Sequence, residues 1–149
     1  MKLVNFRPQN EQLSFGIEVE GHVWDFHDAL DLEGIHQNII ERSVSLCWRP
    51  SHYGELPFPV QAVEIFFVGV DYFEVTPRDG EILDFGEDTC LNGLSRVLPE
   101  DDTRELIAHG VPLLDPEEER FHLWFEFRGG QHLRIGAEAA TFQIRDSLL

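Results

Sequence analysis

The densest group of potential ligands in the chain is the run His22-Val23-Trp24-Asp25-Phe26-His27-Asp28. Imidazoles and carboxylates are the nitrogen and oxygen donors from which divalent-metal sites are built. In an extended strand, residues two apart share a face, so Asp25 and His27 point away from Trp24 and Phe26. Glu18, on the strand that would pair with this one, faces the same side. Asp25, His27 and Glu18 are therefore the candidate metal ligands, while His22 falls on the other face and does not converge with them. A solvated polar face accounts for the same residues without any metal, and no cofactor is expected.

A second group lies in a proline-rich loop over residues 49–59, where Arg49, His52 and Tyr53 bring a cation, an imidazole and a phenol together. Loops on rigid scaffolds often carry function, and this trio suits a small anion or a sugar. With Trp24 and Trp48 on neighbouring strands, these five are the candidate ligand-binding residues.

Other chemistry finds no motif. Residues 28–34 contain three acids and a glycine but lack the ligand spacing of a calcium loop. There is no G-x-S-x-G elbow, no phosphate-binding glycine loop and no dinucleotide fingerprint. The two cysteines, Cys47 and Cys90, have no CxxC spacing. No motif links either to a histidine, and both read as free thiols. No catalytic residue is assigned.

The elements that would position these groups read as strands. Leu13, Phe15, Ile17 and Val19 alternate with polar or small residues, a period of two. A turn at Glu20-Gly21 would pair Val19 with His22, Ile17 with Trp24 and Phe15 with Phe26, apolar facing apolar in the last two pairs. Val44, Leu46 and Trp48 alternate in the same way. Residues 34–41 are ambiguous between a helical turn and an irregular strand. Residues 60–76 are apolar at both parities, as expected of a central strand covered on both faces, with Gly69 marking a bulge where parity could switch. Residues 89–98 form a weaker strand.

Phe121, Leu123, Phe125 and Phe127 make the clearest alternation. A three-residue loop over 129–131 would return the chain with Phe127 facing Leu133 and Phe125 facing Ile135. Ala139-Ala140 shifts parity again, which suggests a bulge or bend. Asp102 and Glu105 have the spacing of a capping box, with Gly110 as a stop, predicting a short helix over 103–109. Asp115-Pro116 predicts a second helical start of about one turn. The expected architecture is all-β and mainly antiparallel, a sandwich or open barrel of about nine or ten short strands with one or two short helices. Its 149 residues form one domain, 1–149.

The chain carries 11 Lys+Arg against 28 Asp+Glu, a net charge of −17. That balance argues against binding nucleic acid, which needs a basic face. No run approaches the roughly 18 apolar residues of a membrane helix, no leader is evident, and a cytoplasmic location is expected. The acids cluster at 79–88, 100–105 and 115–119, all in connections. Gathered at one end, they would form a negative surface that steers a basic protein partner. In size and charge the chain is similar to the small acidic immunity factors that bacteria pair with toxins. That likeness implies a non-enzymatic interaction module docking on a basic partner. The alternative is a small-ligand-binding protein or an enzyme with a pocket between sheets. A monomer or homodimer is expected, the latter through Phe-rich strand 121–127 if it lies at a sheet edge.

Overall fold

The computed structural model describes residues 1–82 and 84–146. It is an all-β fold of twelve strands in three sheets, with one α-helix. The strands are β1 (Lys2–Leu3), β2 (Arg7–Pro8), β3 (Gly16–Val19), β4 (His22–Asp25), β5 (Leu30–Asn38), β6 (Ser43–Pro50), β7 (Ala62–Val68), β8 (Tyr72–Thr76), β9 (Leu91–Val97), β10 (His122–Phe127), β11 (His132–Gly136) and β12 (Ala139–Arg145). Helix α1 spans Thr103–His109, and a 3₁₀ turn spans Phe85–Thr89. A five-stranded sheet has the order β1-β12-β7-β6-β5, a four-stranded sheet β8-β11-β10-β9, and a three-stranded sheet β2-β3-β4. Every pairing is antiparallel except the short β1–β12 contact.

The inner faces of the three sheets share one core. Trp24 meets Phe142 at 5.0 Å, Phe26 meets Trp48 at 4.7 Å, and Phe125 stands 6.2 Å from Trp48 and 6.4 Å from Phe67. Fully burying a side chain of this class contributes roughly 1.5–3 kcal/mol, so these aromatic bridges dominate the cohesion between sheets. A smaller apolar cluster of Val97, Leu106 and Trp124 fastens α1 to the outer face of the four-stranded sheet.

The first hairpin has the expected register, with Val19 opposite His22 and Ile17 opposite Trp24. Its turn takes positive φ at Glu20 and at Gly21, which matches the twist of the flanking strands. The ambiguous segment 34–41 resolves into the end of β5 and a turn. β7 is central, between β12 and β6. Helix α1 has the expected bounds. The Asp102 carboxylate accepts from the Arg104 amide, and Gly110 stops the helix at φ 83°.

Four details differ. Gly69 is not a bulge within a strand: it ends β7 at φ +64°, and the chain crosses to the four-stranded sheet as β8. The bend near Ala139 is likewise a crossing, from β11 to β12. The two corners abut, the Glu138 amide donating to the Val68 and Gly69 carbonyls. The β10–β11 hairpin turns one residue earlier, over Arg128, Gly129 and Gly130, so Phe125 faces Leu133 and Leu123 faces Ile135. Parity is preserved, because only that keeps the apolar residues on one face. The glycine that takes positive φ is Gly130, at 87°. Residues 115–118 make a turn rather than a helix, with the Asp115 carboxylate holding the Glu117 amide.

Strand β10 lies between β9 and β11. Its backbone is paired on both sides, so the Phe-rich strand has no free edge through which a second copy could add.

Candidate functional site

The candidate metal ligands go to separate tasks. The Asp25 carboxylate accepts the backbone amides of His27 and Asp28. Glu18 receives the Arg7 guanidinium at 2.9 Å. The His27 ring nitrogen Nδ1 lies 2.6 Å from the Leu91 carbonyl. Among the described residues no group of three or more His, Cys, Asp and Glu side chains is placed to hold an ion.

The five candidate ligand-binding residues do not converge either. Trp24 is 1% exposed and Trp48 is not exposed at all; both are interior packing. Arg49 and His52 are exposed, and Tyr53 is 86% exposed on the loop surface. The separation follows from strand parity. The indoles face the core, and Arg49, one residue beyond Trp48, faces out.

Folding brings together two groups that sequence spacing does not reveal. In the first, Cys90 Sγ lies 3.7 Å from His27 Nδ1, and His27 Nε2 lies 3.8 Å from an Asp28 carboxylate oxygen. This is the order of a thiol–imidazole–carboxylate nucleophile, but the hydrogen bonding opposes that chemistry. The short contact to the Leu91 carbonyl requires a proton on Nδ1, so that nitrogen has no lone pair for the thiol. The thiol instead points at the His27 carbonyl, 3.4 Å away. Burial pushes the Cys90 pKa up, opposite to what a nucleophile needs.

The second group is centred on Arg134, 2% exposed on the outer face of the four-stranded sheet. Its Nε donates to His122 Nδ1 at 3.1 Å. One terminal nitrogen donates to the Asp101 carbonyl and the Thr103 hydroxyl, the other to the carbonyls of Leu98 and Pro99. All five N–H groups of the guanidinium thus have acceptors. Its plane also lies 5.0 Å from the centroid of the Tyr72 ring, which stacks on His122. Thr103 passes the network on, donating to Glu74 at 2.7 Å, and the Tyr72 hydroxyl donates to the same carboxylate. Burial alone would raise the Glu74 pKa. The Tyr72 and Thr103 hydrogen bonds and the Arg134 charge outweigh it and hold the carboxyl below its ordinary range. With no donor left over, Arg134 serves as a clamp that ties residues 98–103 and the start of α1 to the sheet. The sequence signal was ambiguous, because a cation alternating with Leu133 and Ile135 reads as a solvated outer-face residue.

His122 must be neutral to accept from Arg134. Burial, and then the Arg134 charge, lower its pKa from the ordinary 6.5. As pH falls, the unfolded chain therefore takes up this proton before the folded one. The stability owed to neutral His122 is complete above about pH 6.5 and is lost as pH drops through that value toward the lower folded pKa. Replacing His122 with Gln, whose carbonyl can still accept from Arg134, should flatten the decline in urea midpoint between about pH 7 and about pH 5. Parallel declines in the two proteins would show that His122 is not a titrating contributor.

A groove of about 1020 Å³ lies between residues 1–11 and 116–121. Its lining sets the apolar side chains of Leu3, Phe6 and Phe121 among polar ones, including Arg7, which is paired with Glu18, and Met1, whose ammonium donates to the Glu119 carbonyl. One wall carries Glu11 and the other Glu117, Glu118 and Glu119. Arg96 builds the second wall. Its guanidinium sits 5.2 Å over the Phe121 ring and donates to the carbonyls of Asp115, Pro116 and Glu118. It is thus occupied in holding the segment and does not cancel the acids by direct pairing. No ion pair among the described residues engages the carboxylates of Glu11, Glu117 or Glu119.

The three acidic clusters do not gather at one end. Residues 100–105 and 115–119 lie together, joined by Arg120, which reaches Glu100 at 3.6 Å and Glu118 at 3.5 Å. Residues 79–88 lie at the opposite end of the four-stranded sheet, against the β10–β11 turn, where Asp79 and Glu87 bond to Gly129. There Arg78 and Arg128 engage Asp88 and Glu87. The groove end therefore carries the less compensated acids. No helix among the described residues is long and apolar enough to cross a membrane. Comparison of the chain with known protein families, with curated proteins and with solved structures finds no match to any of them.

Proposed function

We propose that this chain is a non-enzymatic interaction module that receives a basic, extended segment of a partner protein in the groove between residues 1–11 and 116–121. One observation carries the reading: the groove brings the apolar Leu3, Phe6 and Phe121 together with Glu11, Glu117 and Glu119, whose carboxylates have no ion-pair partner among the described residues. A segment that places aliphatic side chains on these apolar residues and Lys or Arg toward the carboxylates satisfies both. Complementary charge of this kind fixes orientation and speeds encounter more than it adds affinity. Two other groups weigh against catalysis, the protonated Cys90 thiol and the saturated Arg134 guanidinium.

The test is capture of partners from lysate at low and high salt, followed by titration of the captured protein. Binding should weaken as salt screens the surface charges. The double variant Glu117→Lys/Glu119→Lys should bind about tenfold or more weakly, while Glu81→Lys at the far end should bind as the wild type does. Recovery of nothing but salt-independent background, or equal loss in both variants, overturns the reading.

A further inference from the structure

One contact of the Arg134 clamp depends on a proton. Arg134 Nε donates to His122 Nδ1 at 3.1 Å, and only an imidazole without a proton on Nδ1 can accept. A proton there would set two cations against each other where a hydrogen bond now stands. The histidine has little room to withdraw. It is 7% exposed and stacked on Tyr72 at 4.8 Å. On the sheet beneath, a β-carbon at Gly136 would come within 2.5 Å of its Nε2. Strands β10 and β11 are each paired on both sides, so the strands that carry the two residues cannot part.

The other partners of Arg134 are less firmly held. The carbonyls of Leu98, Pro99 and Asp101 and the Thr103 hydroxyl belong to a connection and the first turn of α1. That helix is seven residues long. The apolar contacts that fasten it are the small cluster of Val97, Leu106 and Trp124, with Val111 against it. A segment with so few buried apolar contacts opens at lower free energy than the body of a domain.

The charges that face His122 are mixed. Arg134 on β11 and the amino terminus oppose its protonation. Asp71, just before β8, and Glu100, in the connection, favour it. Burial and the Arg134 charge prevail and hold its pKa below the ordinary 6.5. Glu74, on the far side of the clamp, is held below its ordinary range by Tyr72, Thr103 and Arg134 and stays charged near neutrality.

We infer that His122 is an acid-sensitive latch: its protonation drives the Arg134 guanidinium from its seat, and residues 98–103 and α1 lift from the sheet with the strands still paired. The opened form uncovers Val97 and Trp124, so the device turns a fall in pH into a new apolar surface. It is a local event, distinct from unfolding of the whole chain. It rests on the clamp alone and not on the groove. The opened form takes up the proton more readily than the closed one, so opening is favoured as pH drops through about 6.5 toward the lower closed-state value.

Amide exchange of the full chain, followed by NMR from pH 7 to pH 5 and corrected for the intrinsic rate at each pH, tests this. The reporters are the Leu106 and Gly110 amides, which donate to the Asp102 and Leu106 carbonyls; β7 is the reference. The α1 amides should exchange faster than those of β7 and respond little to urea below the unfolding transition, the mark of a local opening. Their protection should fall about tenfold or more between pH 7 and pH 5, because each pH unit between the two pKa values is a factor of ten. In His122→Gln, which keeps His109 and His132, protection should stay nearly level. The carbon-bound ring protons of His122 in the wild type should titrate below pH 6.5. Exchange of α1 and β7 together with one urea dependence, an equal fall in the variant, or titration of His122 at or above 6.5 overturns the inference.

Discussion

Replacing Arg134 with methionine should lower unfolding stability by about 3–5 kcal/mol, measured as the urea midpoint at constant slope. Methionine has similar length and fills much of the same space, so the loss isolates the hydrogen bonds. Five acceptors lose their donor: the carbonyls of Leu98, Pro99 and Asp101, the Thr103 hydroxyl and His122 Nδ1. Each buried group left unsatisfied costs about 1–3 kcal/mol. The total stays below their sum, because residues 98–103 can turn toward water. Lysine should recover little, since an ammonium is a compact donor of three bonds that cannot span the fork. Amide exchange should quicken in α1 more than in β7 if the clamp acts as described. A loss under about 1 kcal/mol would mean that the network is solvated and contributes only at its surface.

Truncating Phe125 to alanine should cost about 3–5 kcal/mol. Its ring faces Trp48 and Phe67 on the opposing sheet, so the change opens a cavity where the four- and five-stranded sheets meet. β10 is held on both sides by β9 and β11 and cannot shift to close it. Tyr53→Ala removes a larger side chain from the surface and should fall within about 0.5 kcal/mol of the wild type. If Phe125→Ala also fell within that margin, the rings would not be bridging the sheets.

The aromatic pattern made much of the fold readable. Alternation at 44–48 and 121–127 gives strands with one apolar face, and the hairpin register at Ile17 and Trp24 follows from matching such faces; at 13–19 the pattern misleads, because only Gly16–Val19 is strand, and Leu13 and Phe15 are exposed with Ser14 buried between them. The helix at 103–109 was legible because Asp102 and Gly110 act within one turn of chain. The two corners at Gly69 and Ala139 were visible as parity changes, yet a parity change is the same in sequence whether the strand bulges or leaves its sheet. Only the neighbouring strands decide that.

The site was less legible, for a related reason. Asp25 and Glu18 lie on paired strands but His27 falls in the turn after β4, and local backbone amides and Arg7 claim both carboxylates first. Trp24 and Trp48 alternate with polar residues, which shows that they are one-sided but not that the side they share is a filled interior. The groove involves segments more than a hundred residues apart, residues 1–11 and 116–121. No spacing in the chain encodes that meeting.

The amino-acid order alone marked which segments are strands with one apolar face and that most of the excess anions must lie in water, because strand periodicity and hydration are local properties of the backbone and of each residue. The tertiary structure decided which sheet each strand joined, that one arginine is sealed under a loop, and that the acids divide between two ends. Those outcomes depend on contacts between distant segments, whose free energies are fixed only once the whole core has packed.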